Sequence, residues 1–247
     1  MEKWNDLLYL SGNDIPFAAA RLNIHQPKIK DIALLGEETF YSGVEFLKFD
    51  KDILQVEDKT HLENKSNFEV LIAIMNEKNL TIQKQKLQIT MVLALLFPEH
   101  SIEIKRTHIS LIKDNEEYQI NNANFEEFKK IIKHMFCLDG DGSNKDDYNP
   151  SGRMAQQIAE KLKKRHQRIS QERDQNKKVS ILEKYVSVLT VGEHKDMNSL
   201  LNYTVYQLFD ELRRYQLKMA WDLNLKARLA GAQDLQDAED WMQDLHP

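Results

Sequence analysis

The chain contains few residues that break regular structure and almost no cysteine. Its 247 residues include only eight glycines and five prolines, a composition typical of helix-rich proteins. The single cysteine, Cys137, excludes an internal disulfide framework and suits a reducing compartment. Cys137 ends an amphipathic segment, a position that favours a small buried hydrophobic residue over a nucleophile.

Long hydrophobic runs and a strong excess of one charge are also missing. The longest apolar stretch, residues 89–97, is far shorter than the roughly 20 residues needed to cross a bilayer. The net charge is −5 and the pI is near 5.9, which does not indicate a membrane or a nucleic acid as the partner. The first residues, MEKWNDLLYL, lack the pattern of a signal peptide. We therefore expect a soluble intracellular protein.

The sequence carries none of the short motifs that mark common enzymes or metal sites. There is no Walker loop, no GxGxxG, no GxSxG and no HExxH, and no two histidines are spaced to bind zinc from one helix. The loop that begins at Asp139 resembles a calcium loop only superficially. Its sixth and twelfth positions are Asn144 and Pro150, where glycine and glutamate are required. We predict a non-enzymatic protein without catalytic residues, cofactor or metal.

A long helical pattern near the C-terminus is the most informative feature, and we predict one helix over about 198–230. Between residues 203 and 231 there is no proline, and the only glycine is the last residue. Apolar residues at spacings of three and four form two stripes. The first stripe is Val205, Leu208, Leu212, Tyr215, Met219 and Leu223, and the second stripe is Leu217, Trp221, Leu225 and Leu229. We expect the second stripe to lie beside the first.

The two stripes are assigned different roles. We expect the first stripe to face the core of a helical domain and the second to face the C-terminal tail or a partner. The tail, residues 231–247, has five acidic residues and no lysine or arginine. Its apolar residues also have helical spacing, so it can dock on its own domain, the preferred hypothesis, or in the groove of a partner. The residues assigned to partner binding are Leu217, Trp221, Leu225, Leu229, Trp241 and Met242.

The remaining patterns predict an α+β protein with a mixed first half and an all-helical second half. We predict strands near residues 7–10 and 20–25, helices over 27–36, 37–49, 67–77, 81–97 and 125–136, and a β-meander over 101–105, 107–113 and 117–120. Asn122 or Asn124 is expected to cap the helix over 125–136. Further helices are predicted over 152–171, 179–191 and 234–244.

The clearest boundary is an acidic, glycine-rich stretch that cannot continue a regular element. We therefore predict an α+β domain over 1–137, a linker over 138–152 and a helical domain over 153–247.

A basic segment begins after this linker. Residues 153–178 contain nine lysines or arginines and three acidic residues, a charge that could meet phosphates. The segment has no aromatic residue to stack on bases, and its apolar residues form an ordinary buried stripe. A solvated face or an acidic protein partner, such as the tail, is therefore favoured, and nucleic-acid binding by this basic helix is the weaker alternative.

Three groups of segments resemble a family of proteins from the tail-morphogenesis region of tailed phages and prophages of Gram-positive bacteria. The segments are PKIKDIALLGEETFYSGVEFL; ISLIKDNEEYQINNANFEEFKKIIKHMFCL followed by YNPSGRMAQQIAEKLKKRHQRI; and VSVLTVGEHKDMNSLLNYTVYQLFDELRRYQLKMAWDLNLKARLAGAQ with the closing EDWMQDLH. They cover most of the chain, less well between residues 51 and 90. The resemblance brings no active-site residues with it.

The resemblance implies a role in building the virion. The preferred reading is a tail-assembly chaperone-like protein in the host cell cytoplasm, which binds a phage tail protein such as the tape measure or a baseplate component through amphipathic helices. The alternative is a minor structural component of the tail or baseplate that stays in the virion. In that case the long helix would be an oligomer interface, and a homo-oligomer is possible.

Overall fold

The computed structural model describes residues 5–51, 64–77, 79–138, 180–232, 239–243 and 245. Within them the predicted α+β class is confirmed, since helices are combined with two small antiparallel sheets. The predicted helix over 152–171 lies outside the described residues, as do most of the predicted linker and much of the predicted helix over 234–244. No helix in the described ranges is long and apolar enough to cross a membrane.

The chain begins with a short helix and a β-hairpin. Helix α1 is Asp6–Ser11, and strands β1 (Ile15–Phe17) and β2 (Leu22–Ile24) pair so that Ile15 lies opposite Ile24. The predicted strand at 7–10 is therefore wrong. A short apolar run does not distinguish a strand from a helix by itself. Here the helix is closed by Gly12, whose φ of 71° is the left-handed conformation that glycine adopts easily.

Five helices and a three-stranded sheet complete the described part of the first half. Their bounds confirm the predictions to within a few residues. They are α2 (Ile29–Leu35), α3 (Glu37–Leu47), α4 (Asn67–Met75), α5 (Leu80–Leu96), β3 (Ser101–Ile104), β4 (Ile109–Lys113), β5 (Glu116–Ile120) and α6 (Phe125–Met135). The sheet has the order β3-β4-β5. Asp114 and Asn115 both take positive φ in the turn between β4 and β5, as tight hairpins require.

Asn124 occupies the position before α6, but it does not cap the helix as expected. Its side chain makes no hydrogen bond to the first turn of α6. The Asn124 Oδ1 instead accepts from the backbone N–H of Asn121 at 2.8 Å, and its Nδ2 donates to the carbonyl of Gln119 at 2.9 Å. The amide therefore fixes the turn that leads from β5 into the helix.

The second half contains α7 (Ile181–Gly192), α8 (Met197–Leu201) and α9 (Val205–Leu229). The predicted single helix over 198–230 is wrong at its start, because the chain breaks between α8 and α9. Thr204 accepts a hydrogen bond from the N–H of Gln207 at 3.2 Å, and the Gln207 side chain accepts from the N–H of Thr204 at 2.8 Å. This reciprocal capping box starts a new helix.

Described residues on both sides of the predicted linker share one hydrophobic core. The core includes Phe40, Leu93 and Phe128 from the first half and Leu189 and Leu208 from the second. The division of the chain into two domains stays a prediction, but the helices of the second half do not have a core of their own among the described residues.

Polar contacts also join the two halves. The Tyr206 hydroxyl donates to Asp6 at 3.0 Å, and His134 Nε2 lies 2.8 Å from the same carboxylate oxygen, so α1, α6 and α9 meet at one point. The Glu37 carboxylate accepts from the N–H groups of Ile181 at 2.9 Å and Leu182 at 3.3 Å. A carboxylate at this place satisfies free N–H groups and opposes the positive end of α7.

Gly43 allows the closest approach between two helices of the core. A Cβ atom at Gly43 would lie 2.6 Å from Val92 Cγ2 and 2.8 Å from the carbonyl oxygen of Gln88. We expect Gly43→Ala to destabilise the fold by about 1–3 kcal/mol, because α3 and α5 would have to move apart. Urea unfolding followed by circular dichroism would measure this, with Ser42→Ala as the neighbouring control. An unchanged midpoint would contradict the observed packing.

A second prediction concerns Glu117 on β5. One of its oxygens accepts from Lys105 Nζ at 2.8 Å and from the Ser110 hydroxyl, and it lies 3.2 Å from His108 Nε2. These contacts, that of Lys105 first, lower the pKa of Glu117 from 4.5 to about 2.

Because the pKa is lowered in the folded state, the contribution of Glu117 to stability is complete above pH 4.5 and is lost as the pH falls to 2. We expect Glu117→Gln to be less stable than the wild type at pH 7 and to lose less stability between these two pH values. Thermal unfolding at a series of pH values would test this, with Glu103→Gln as the control on β3. Parallel pH curves for wild type and Glu117→Gln would show that the carboxylate contributes nothing.

Candidate interaction surface

Helix α9 is buried at its start and exposed at its end. We call residues 205–215 its proximal part and residues 216–229 its distal part. In the proximal part the buried side chains are Val205, Tyr206, Leu208 and Leu212, all members of the main core. The proximal part therefore anchors the helix to the body of the protein.

The proximal part is held on two sides. On one side it packs on α1, where Gln207 Nε2 donates to the carbonyl of Leu10 at 2.7 Å. On the other side it packs on α7: the rings of Tyr185 and Phe209 lie 5.3 Å apart, and Gly192 touches the ring and hydroxyl of Tyr215. The order of these contacts shows that α7 and α9 run in the same direction. Helix α7 ends at Gly192, so its support of α9 ends beside Tyr215.

The distal part extends past the end of α7. The 14 residues after Tyr215, up to Leu229, span about 21 Å as an α-helix. Five large apolar side chains in this part are exposed: Met219, Trp221, Leu223, Leu225 and Leu229. The expectation that the whole first stripe faces the core is therefore wrong for Met219 and Leu223. The stripe continues in the sequence, but the helix that covers it does not.

The two apolar stripes lie on opposite sides of α9 rather than side by side. Leu212 and Trp221 are nine residues apart, which is about two and a half helical turns. Steps of four residues also exceed one turn, so the second stripe moves gradually around the helix. As a result, the distal part presents apolar side chains in two directions, and one neighbouring helix could not cover both.

Exposure of the second stripe rises steadily along the helix. Leu217 is half-buried, Trp221 is 39% exposed, Leu225 is 50% exposed and Leu229 is 80% exposed. Three of the four second-stripe residues that we assigned to partner binding are thus available to solvent, and Leu217 partly so. The more buried end of the stripe lies nearest to Arg214.

Arg214 holds the end of the chain against α9. Its Nη1 donates to the backbone carbonyls of Trp241 at 2.6 Å and Gln243 at 2.8 Å. Leu245 is only 4% exposed, whereas Trp241 is half-buried and Met242 is exposed. The preferred hypothesis that the tail docks on its own helices is thus confirmed for the described residues. Of the predicted helix over 234–244, residues 239–243 are not helical.

A group of charged residues fixes the loop between α7 and α8 against α9. Lys195 Nζ lies 2.7 Å from Glu211 and donates to the Tyr203 hydroxyl at 3.1 Å. Burial and then the hydrogen bond to Glu211 raise the pKa of Glu193 above its ordinary value. Perturbed carboxyl groups occur in active sites and also in structural ion-pair networks. Here the contacts with Lys195 and Tyr203 explain the charged group as a structural ion-pair network.

The described residues offer little for a small ligand. A groove of about 560 Å³ lies beside β5, lined by residues 19–21, 116–119, Asn121 and Asn124. Two polar side chains there already have partners: the Tyr118 hydroxyl donates to Glu116 at 2.6 Å, and the Asn124 amide holds the neighbouring turn. In the part of the chain that the structure describes, no group of three or more His, Cys, Asp or Glu residues could hold a metal ion.

A comparison with known protein families matches part of the chain. Residues 174–246 match a family model described as the YomV second domain, which comes from a phage-derived family. The match covers α7, α8, α9 and almost all of the tail, and thus every residue that we assigned to partner binding, but less than a third of the chain. No curated protein and no solved structure matches the sequence. The match supports a phage-associated protein.

Proposed function

We propose that this protein is a non-enzymatic phage virion-assembly protein that binds another tail protein through the distal part of α9. One observation carries the proposal: α9 is anchored at its start and extends past the end of α7 with exposed apolar side chains on two sides. This helix lies within the segment that matches a phage-derived family.

The exposed side chains suit a helix-binding partner. Single exposed apolar residues are ordinary, but a group of them on one element marks an interaction surface. Met219, Trp221, Leu223, Leu225 and Leu229 fall within three turns of one helix. A partner with amphipathic helices could pack on either stripe by the usual spacing of three and four residues.

The resemblance of several segments to phage tail-morphogenesis proteins favours a tail protein as the partner, such as the tape measure or a baseplate component. A chaperone-like protein would bind its partner in the host cell cytoplasm and leave before the virion is complete. The alternative is a minor structural component of the tail or baseplate. The two-sided apolar helix also favours this alternative, because a helix shared between subunits must be covered on both sides.

Substitution of two leucines near the end of α9 tests the surface. We expect Leu225→Asp with Leu229→Asp to reduce co-purification with the tape measure protein of the same phage at least tenfold. Burial of one leucine in an interface contributes about 1.5–3 kcal/mol, and each 1.4 kcal/mol corresponds to a factor of ten. Leu34→Asp is a suitable control, because Leu34 is 88% exposed and lies on α2, outside the distal part of α9. Equal capture of the double variant and the control would remove the distal part as the binding surface.

Mass spectrometry of purified virions would separate the two forms of the proposal. A chaperone is expected to be absent from finished particles and present in lysates before assembly is complete. A structural component is expected in the particle at a fixed ratio to other tail proteins. Failure to find the protein with any tail protein, in lysates or in particles, would contradict both.

A further inference from the structure

We infer that the C-terminal segment, residues 239–243 and 245, is an internal competitor that covers the beginning of the second stripe and that a partner displaces. This inference rests on the proposed function, because it concerns access to the same surface. In this inference, the contact between the tail and α9 regulates how much of the second stripe a partner can reach.

The C-terminal end of α9 has hydrogen bonds that end the helix and reverse the direction of the chain. Ala232 N–H donates to the carbonyl of Ala227 at 3.0 Å, and Gly231 N–H donates to the carbonyl of Arg228 at 2.9 Å. This pair of bonds is the Schellman motif, with Gly231 at a φ of 88° in the position that requires positive φ. Ten residues after Gly231 the chain is again beside α9, at Arg214. The segment therefore lies against the helix that precedes it.

Arg214 places the C-terminal segment on the side of α9 that carries the second stripe. Leu217 is three residues and Trp221 seven residues beyond Arg214, so all three side chains lie on the same side of α9. The gradient of exposure agrees with this placement. Leu217, nearest to Arg214, is half-buried, and exposure rises through Trp221 and Leu225 to Leu229 at the far end.

The attachment of the segment is separate from the main core. Leu245 is buried, yet it is not a member of the core cluster that contains Leu208 and Leu212. The segment can therefore leave α9 without opening the core. Among the described residues, one arginine nitrogen binds two carbonyls of the segment, and one leucine of the segment is buried. These contacts must offset the entropy lost by ordering the segment, so a docked and a released state differ little in free energy.

Arginine and leucine variants of the full-length protein can release the segment. We expect Arg214→Ala and Leu245→Asp to increase amide hydrogen exchange in residues 239–245 at least tenfold while exchange in α3 and α5 stays unchanged. The matched controls are Arg213→Ala, an exposed neighbour, and Met242→Asp, an exposed residue of the same segment. Both controls should keep the exchange rates of the wild type.

Two readouts then test the competition. Binding of the hydrophobic dye ANS should increase severalfold in the releasing variants and not in Arg213→Ala, because the beginning of the second stripe becomes accessible. Capture of the tape measure protein should also improve, by about tenfold, since a larger fraction of molecules is ready to bind.

The outcomes distinguish this inference from the proposed function. Faster exchange in the segment without increased dye binding would overturn the inference, whatever happens to capture. Increased dye binding with unchanged or weaker capture would also overturn the competition, although wild-type capture would still support the proposed function. Increased dye binding with no capture by any variant would support the covering of the stripe and overturn the tape measure as the partner.

Discussion

The first turn of α9 fixes the direction of the helix that carries the exposed apolar side chains. At this turn Thr204 caps the helix, forms a β-bridge with Lys28 and so ties α9 to the start of α2. Tyr206 and Gln207 bind α1 in the next positions. These contacts hold backbone as well as side-chain atoms. They therefore set the direction of the helix axis independently of the apolar stripes. Because the first turns of α9 are held by these contacts, the direction in which the distal part continues is fixed.

Whether an apolar residue of α9 is buried or exposed depends on the neighbouring helices and not on the composition of α9. The first stripe is apolar both before and after Tyr215, but it is buried only where α7 and α1 cover it. A helix that is apolar on two sides and covered only at its base differs from an ordinary surface helix, whose single stripe faces its own core. In this protein the surplus apolar surface lies within the segment that matches a phage-derived family.

The sequence predicted elements with strong local signals. The meander around Asp114 and Asn115 and the helices that alternate with it follow from spacing and turn residues. The break before Thr204 was missed because Tyr203 and Val205 continue the apolar pattern across it. The exposure of Met219 and Leu223 depends on where α7 ends in space, which α9's own pattern does not contain. Arg214 was missed because its partners are backbone carbonyls, which any residue in the tail could supply.

The contact between Gly192 and Tyr215 makes the distal part a lever. The helix beyond this contact is about 21 Å long, so a tilt of about 10° at the contact would move Leu229 by nearly 4 Å. A side chain at position 192 would shift the pivot, because there is no space for a Cβ against the tyrosine ring. Small changes at this point inside the protein would thus be amplified at the tip. The absence of a side chain at one residue thus allows the close contact beyond which the distal part extends.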